Sequence, residues 1–160
     1  MAYESDPIAG KLNDLVGRDE LYMGLASFDE LSILEQALIG TWELANEVYN
    51  GGFTQYFHNS SRDHAKPMLA VLRSIGADRT AAILESAIGL VGPGTRLGGA
   101  PNLIAAINSM PDDVKNRLRE LERKLYDELG NLHLQVFRYL AKHRDQFDVP
   151  EEFWAEATIQ

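Results

Sequence analysis

Apolar residues recur at helical spacing along most of this chain. The longest stripe lies between Leu31 and Tyr49, where its members return every three or four positions: Leu31, Leu34, Leu38, Thr41, Trp42, Ala45, Val48 and Tyr49. This spacing places the stripe on one face of a helix. Residues 28–49 are therefore predicted to form the central helix, with Ser27 and Glu30 at the spacing of a capping box at its start.

Shorter stripes predict the other helices, which glycine and proline residues separate. Asp6 has the position of an N-cap, Pro7 follows in the first turn, and the first helix is predicted to end near Gly17. Further helices are predicted at residues 63–75, capped by Asp63, at 78–91, capped by Asp78, at 102–108, and from Pro111 to about His143.

The last predicted helix is long and highly charged. Gly130 and Asn131 are expected either to break it or only to bend it. An acidic tail, residues 148–160, follows. No segment alternates with the period of two that is typical of a strand. The predicted fold class is therefore all-α, a single compact domain over residues 1–160 with about six to eight helices.

Composition excludes several kinds of site. The chain has 160 residues and no cysteine, which rules out disulfides, thiolate nucleophiles and zinc-thiolate sites. The first residues are acidic and lack the basic and apolar regions of a signal peptide, and no apolar run approaches the length of a membrane span. A cytoplasmic location without membrane association is therefore expected.

The net charge of −9 is unevenly distributed along the chain. Residues 1–61 contain ten acidic and two basic side chains, residues 62–144 contain nine and thirteen, and residues 145–160 contain five and none. Affinity for nucleic acid comes from Lys and Arg that replace counterions at the phosphates. Direct nucleic-acid binding by the N-terminal half is therefore not expected, whereas an acidic surface can bind a basic protein.

The central helix is predicted to stop at a double glycine that aromatic residues follow. Gly51 and Gly52 adopt left-handed backbone conformations without a Cβ clash, so a sharp turn is expected at residues 50–52. Phe53, Tyr56 and Phe57 then share one face of a restarted helix. The plain interpretation is a helical corner whose rings fill the core.

The segment at residues 50–61 also resembles the signature of a family of small bacterial proteins of largely unassigned function. The described example of that family is a dimeric DNA-mimic protein that binds a transcription factor. The matching residues are Asn50, Gly51, Gly52, Phe53, Gln55, Tyr56, Phe57, Asn59, Ser60 and Ser61. Thr54, His58 and Arg62 depart from the pattern. The resemblance covers about residues 28–147 and implies a homodimer with a role in transcription regulation.

No catalytic, cofactor or metal site is predicted. Residues 58–64 contain serine, histidine and aspartate, but the members of a catalytic triad usually come from separate elements of the fold. No Glu-x-x-His pair of the kind used by di-iron bundles occurs, and no two histidines have the i, i+4 spacing of ligands on one helix face. A non-enzymatic protein is therefore expected.

Two functional hypotheses remain open. In the first, carboxylates of the central helix imitate DNA phosphates and bind a basic DNA-binding protein, such as a transcription regulator: Asp29, Glu30, Glu35, Glu43 and Glu47. These residues can equally form an ordinary solvated surface. In the second, the aromatic corner and the glycine-rich loop at residues 92–101 bind a small molecule or peptide. Asn50, Gln55 and Asn59 either bind such a ligand or only stabilise the turn.

Overall fold

The structure, a computed structural model, describes residues 6–18, 28–59, 64–92 and 103–158. Within these residues the α-helices are α1 (Pro7–Arg18), α2 (Ile33–His58), α3 (Ala65–Ser74), α4 (Asp78–Val91), α5 (Leu103–Asn108) and α6 (Asp112–Ala141). Short 3-10 helices span Phe28–Glu30, Arg144–Gln146 and Glu151–Thr158. No strand occurs in the described part of the chain, so the all-α prediction is confirmed.

The central helix begins later than predicted. Helix α2 starts at Ile33, and its capping box joins Ser32 and Glu35, whereas residues 28–30 form a separate 3-10 turn. The Ser32 hydroxyl accepts a hydrogen bond from the Glu35 amide, and the Glu35 carboxylate accepts one from the Ser32 amide at 2.6 Å. A capping box at Ser27 and Glu30 is therefore wrong as the start of α2, and Ser27 lies outside the described residues.

The predicted caps of the other helices are correct only in part. Asp6 caps α1, since its carboxylate accepts hydrogen bonds from the amides of Ile8 and Ala9. Asp78 does not cap α4; it is the first residue of that helix, where its charge complements the helix dipole, and Ala77 precedes it without a side-chain cap. Asp63, the predicted cap of α3, lies outside the described residues.

Helix α6 runs without a break through Gly130 and Asn131. Both residues are exposed, whereas the neighbouring Leu129, Leu132 and His133 are buried. Packing of this buried face outweighs the low helix propensity of a glycine, which costs only about 1 kcal/mol. The helix ends at Ala141, close to the predicted end.

The acidic C-terminal segment folds back onto α6. Trp154 in the last 3-10 helix is buried, and its ring stacks on Phe137 with 5.1 Å between centroids. Phe153 packs against the same two rings. The segment that the sequence suggested as a tail is therefore part of the packed structure through Thr158.

One hydrophobic cluster unites the described helices. It contains buried residues from α1 to α6 together with Trp154. Helix α6 packs against α1, α2 and α4, and α2 also packs against α3 and α5. None of the described helices combines the length and the apolar character that crossing a membrane requires. The long helices α2 and α6 thus position the aromatic corner and both ends of the chain.

Candidate functional site

The double glycine breaks α2 as the sequence predicts. Gly52 has a φ of +71°, a left-handed conformation, whereas Gly51 has a φ of −153° and is not left-handed as expected, although it too departs from helical dihedral angles. The helix then resumes, and the side chains of Phe53, Tyr56 and Phe57 are completely buried. The prediction of a packed corner is therefore confirmed, and the rings leave no opening at this point for a ligand.

Helix α6 supplies hydrogen-bond partners to both sides of this break. The Phe53 amide donates to the Glu122 carboxylate at 2.9 Å, and the Tyr126 hydroxyl donates to the Val48 carbonyl at 2.9 Å. Glu122 and Tyr126 are four residues apart and share one face of α6. Groups that a helix break would leave without partners are thus satisfied by another element.

Glu122 is held close to the backbone of the corner. A Cβ atom added at Gly52 would lie 2.3 Å from the Glu122 carboxylate. Burial raises the pKa of the Glu122 carboxyl, and the hydrogen bond from Phe53 and the charge of Arg119 oppose that shift. The positive φ at position 52 therefore favours a glycine, and a Cβ atom there would also displace this carboxylate from its place beside the corner.

Two amides of the signature bind a carboxylate of the same helix. Glu47 accepts hydrogen bonds from Gln55 Nε2 at 2.8 Å and from Asn59 Nδ2 at 2.5 Å. Because the break turns the chain, residues after it come back to a residue before it. Gln55 and Asn59 therefore stabilise the corner, whereas Asn50 is exposed.

A second carboxylate of α2 meets the start of α3. His64 Nδ1 lies 2.6 Å from the Glu43 carboxylate, and the His64 ring stacks on Phe28 with 4.3 Å between centroids. The Tyr56 hydroxyl is buried without a hydrogen-bond partner among the described residues. Burial, and then the charge of Glu43, raise the pKa of Tyr56, so its hydroxyl stays protonated.

The structure therefore divides the five predicted partner-binding carboxylates into two groups. Glu43 and Glu47 form hydrogen bonds inside the corner and are each only partly exposed. Asp29 and Glu30 are exposed on the turn that precedes α2, and Glu35 lies on the first turn of α2. Two of the five carboxylates are thus engaged within the fold, and Asp29 and Glu30 are the most open to solvent.

A larger acidic surface comes from both ends of the chain, which we call the acidic end and define as residues 6–18, 28–36 and 144–158. Lys11 of α1 donates to the Phe153 carbonyl at 2.6 Å and pairs with Glu156, and Arg18 donates to the Asp148 carbonyl at 3.3 Å. The acidic end contains ten acidic and three basic residues. The C-terminal residues were not predicted to belong to the partner-binding surface, although the sequence shows five acidic and no basic residues over 145–160.

Several carboxylates of the acidic end have no ion pair. Lys11 is paired with Glu156, and Arg144 with Glu151. Four exposed aspartates form no ion pair with the part of the chain that the structure describes: Asp14, Asp29, Asp145 and Asp148. By contrast, residues 64–92 and 103–143 contain ten basic and eight acidic side chains. Folding thus brings the acidic segments near the two termini together at one end of the molecule.

A depression of about 520 Å³ lies at the acidic end, between α1, the first turns of α2 and the C-terminal segment. Its apolar lining consists of Leu15, Leu34, Leu38, Phe147 and Val149. Its polar lining consists of Arg18, Ser32, Glu35, Gln146 and Asp148. The depression joins an apolar floor to a rim with two carboxylates.

The structure adds little support for a site at residues 58–64, for a metal site or for a site at the glycine-rich loop. Of the polar residues at 58–64, only His58, Asn59 and His64 are described, and Ser60, Ser61, Arg62 and Asp63 lie outside the described residues. Within the described ranges, no group of three or more His, Asp or Glu side chains is placed to hold a metal ion. Of the glycine-rich loop at 92–101, only Gly92 is described.

Comparison with known proteins gives one family. A family profile described as DMP19-like protein matches residues 29–149, close to the range of 28–147 that the signature suggested. This family is small and of unknown function. Searches of the curated proteins and of the solved structures found no significant match.

Proposed function

Because the chain belongs to the DMP19-like protein family, we propose that it is a non-enzymatic DNA mimic that binds a basic DNA-binding protein, such as a transcription regulator. In this proposal it acts in the cytoplasm as a homodimer and does not itself bind nucleic acid. The resemblance of residues 50–61 to a family with a described DNA-mimic member suggests the function. The acidic end suggests where the partner binds.

The observation that carries the proposal is the unpaired charge of the acidic end. Asp14, Asp145 and Asp148 are exposed and lack ion pairs within the described structure, and they come from opposite ends of the sequence. Clustered charge of one sign steers a partner of the opposite sign and accelerates association. Glu43 and Glu47 lie outside the acidic end, and their carboxylates form hydrogen bonds within the corner.

The hypothesis of a ligand site at the aromatic corner has no comparable support. Phe53 and Phe57 are completely buried and stack on each other at 5.7 Å. Trp42 lies beside a space of only about 10 Å³, which holds at most one water molecule. Residues 93–101 of the glycine-rich loop, the other half of that hypothesis, lie outside the described residues.

A capture experiment with two matched variants tests the proposal. The acidic-end variant carries Asp14→Asn, Asp29→Asn, Asp145→Asn and Asp148→Asn. The control carries Asp78→Asn, Asp113→Asn, Glu120→Gln and Asp127→Asn, exposed residues of α4 and α6 that likewise form no ion pair with the described residues. Both variants lose the same charge, so they differ only in where it is lost.

Immobilised wild-type protein is expected to capture a basic DNA-binding protein from the lysate of its own cells. The complex should weaken as salt rises from about 50 mM to about 500 mM, since exposed charges are screened over shorter distances. The control should retain the partner, the acidic-end variant should lose it, and duplex DNA should displace it. Equal capture by both variants, or a complex insensitive to salt and to DNA, would show that mimicry at the acidic end is wrong.

A further inference from the structure

The depression at the acidic end differs from a simple charged surface because its floor is apolar. Leu15, Leu34 and Leu38 are almost completely buried, while Phe147 and Val149 from the C-terminal segment are partly exposed. Its volume of about 520 Å³ is in the range of cavities that enclose organic groups. The floor can therefore receive an apolar side chain from outside.

The rim of the depression favours positive charge beside that side chain. Glu35 uses one carboxylate oxygen to cap α2 by accepting from the Ser32 amide, and its other oxygen remains available. The Asp148 side chain is exposed and forms no ion pair within the described residues. Arg18, the cation of the rim, donates to the Asp148 carbonyl. That bond is to a neutral carbonyl and leaves the charge of Arg18 in place, so the rim carries two carboxylates and one cation, a net charge of −1.

We propose that this depression binds one large apolar side chain of the basic partner, with neighbouring Lys or Arg residues of the partner pairing with Glu35 and Asp148. The inference rests on the proposed function, and it adds an apolar contact to the charged contacts that a phosphate mimic makes. Buried apolar anchors usually supply much of the affinity of an interface, whereas surface charges mainly supply association rate and orientation. Such an anchor distinguishes one basic partner from others.

The charge of the surroundings selects this occupant. The acidic end contains ten acidic and three basic residues, and two of the three bases form ion pairs within it. An acidic or neutral segment would meet repulsion or leave the rim carboxylates unpaired on binding. A basic segment with a single apolar residue can bury that residue on the apolar floor and pair its charges with the rim carboxylates.

Two synthetic peptides test the proposal directly. Both are Lys- and Arg-rich and identical except for a central residue, which is Leu in one and Ala in the other. We expect the wild-type protein to bind the Leu peptide about tenfold more tightly, measured by isothermal titration calorimetry, because the larger side chain buries more apolar surface. Both affinities should fall with salt.

Two variants separate the floor from the rim. Gln146→Trp fills the depression from an exposed position, and it should remove the preference for Leu while leaving salt-dependent binding. Asp148→Asn should weaken both peptides by the same factor, about two- to fivefold, and keep the preference. Asp127→Asn, at an exposed site on α6, is the matched control and should change neither affinity. Circular dichroism confirms that each variant is folded.

The outcomes distinguish this inference from the proposed function. If both peptides bind equally and with salt dependence, the acidic surface stands and the anchor is wrong. If neither peptide binds, the inference is wrong, and the capture experiment alone decides the proposed function. If Gln146→Trp abolishes self-association in sedimentation experiments but keeps the Leu preference, a second copy of the chain occupies the depression and the inference is wrong.

Discussion

Replacement of Gly52 by alanine tests the explanation of the corner most directly. Gly52 has a φ of +71°, and a Cβ atom there would lie 2.3 Å from the Glu122 carboxylate. Alanine therefore meets two separate obstacles, a backbone conformation that disfavours any side chain and a displaced carboxylate. The displacement breaks the hydrogen bond from the Phe53 amide.

The cost can be estimated from these two effects. A left-handed conformation costs a residue with a Cβ atom about 1–2 kcal/mol. Leaving the buried Phe53 amide without its acceptor costs about a further 1–3 kcal/mol. We therefore expect Gly52→Ala to lower the free energy of unfolding by about 2–5 kcal/mol, a large part of the stability of a small domain.

Three other glycines provide matched controls. At Gly130 an added Cβ meets nothing within 4 Å and φ is ordinary, so alanine should stabilise the helix by about 0.5–1 kcal/mol. At Gly76 φ is +81° but the space is open, so only the backbone cost of about 1–2 kcal/mol should appear. At Gly40 an added Cβ would lie 2.6 Å from Met68 Sδ, which isolates overpacking, at about 1–3 kcal/mol.

Urea unfolding followed by circular dichroism measures all four variants under the same conditions. The expected order of destabilisation places Gly52→Ala first and Gly130→Ala last, with Gly76→Ala between them. If Gly52→Ala costs no more than Gly76→Ala, the contact between Glu122 and the corner contributes nothing. If Gly52→Ala is as stable as the wild type, the break does not require a glycine and the explanation is refuted.

Two further predictions concern the pH dependence of the corner and the C-terminal segment. Burial raises the pKa of Glu122, so the folded protein holds the proton of this carboxyl more tightly than the unfolded chain does. The resulting stabilisation is complete below the ordinary pKa of a glutamate and is lost as pH rises through the raised pKa. Glu122→Gln keeps an acceptor for the Phe53 amide but does not ionise. The urea midpoint of this variant should therefore rise relative to that of the wild type between acidic and neutral pH. Midpoints that change with pH in the same way for both proteins would contradict this. Trp154→Ala should cost about 3–5 kcal/mol in urea unfolding, because the ring packs on Phe137. Exposed Glu152→Ala should stay within about 0.5 kcal/mol, and equal effects of the two changes would argue against docking of the segment.

The features that depend on neighbouring residues could be predicted from the sequence. The turn at Gly51 and Gly52 and the burial of Phe53 follow from glycine conformation and helical spacing. Even locally, however, the start of α2 was ambiguous. Ser27 with Glu30 and Ser32 with Glu35 have the same capping-box spacing, and the structure begins the helix after Ser32.

The features that depend on distant residues could not be predicted. Glu43 and Glu47 lie off the apolar stripe of α2, and such carboxylates usually face solvent. Their partners, His64, Gln55 and Asn59, reach them only because the chain reverses direction after the break. Likewise, nothing in the local pattern joins the C-terminal segment to α1, so the acidic end is visible only in the folded chain.

The capping of the broken helix by α6 has a consequence for the order of folding. Phe53 and Glu122 are 69 residues apart in sequence, and Val48 and Tyr126 are 78 apart. Contacts at such separations carry a large loop-closure entropy and tend to form late. We therefore expect the corner to form only after α6 has docked, so substitutions at Gly52 or Glu122 should mainly accelerate unfolding rather than slow folding in stopped-flow measurements. The segment at residues 50–59 would then slow unfolding without taking part in the early steps of folding, because its contacts come from α6 in the other half of the chain.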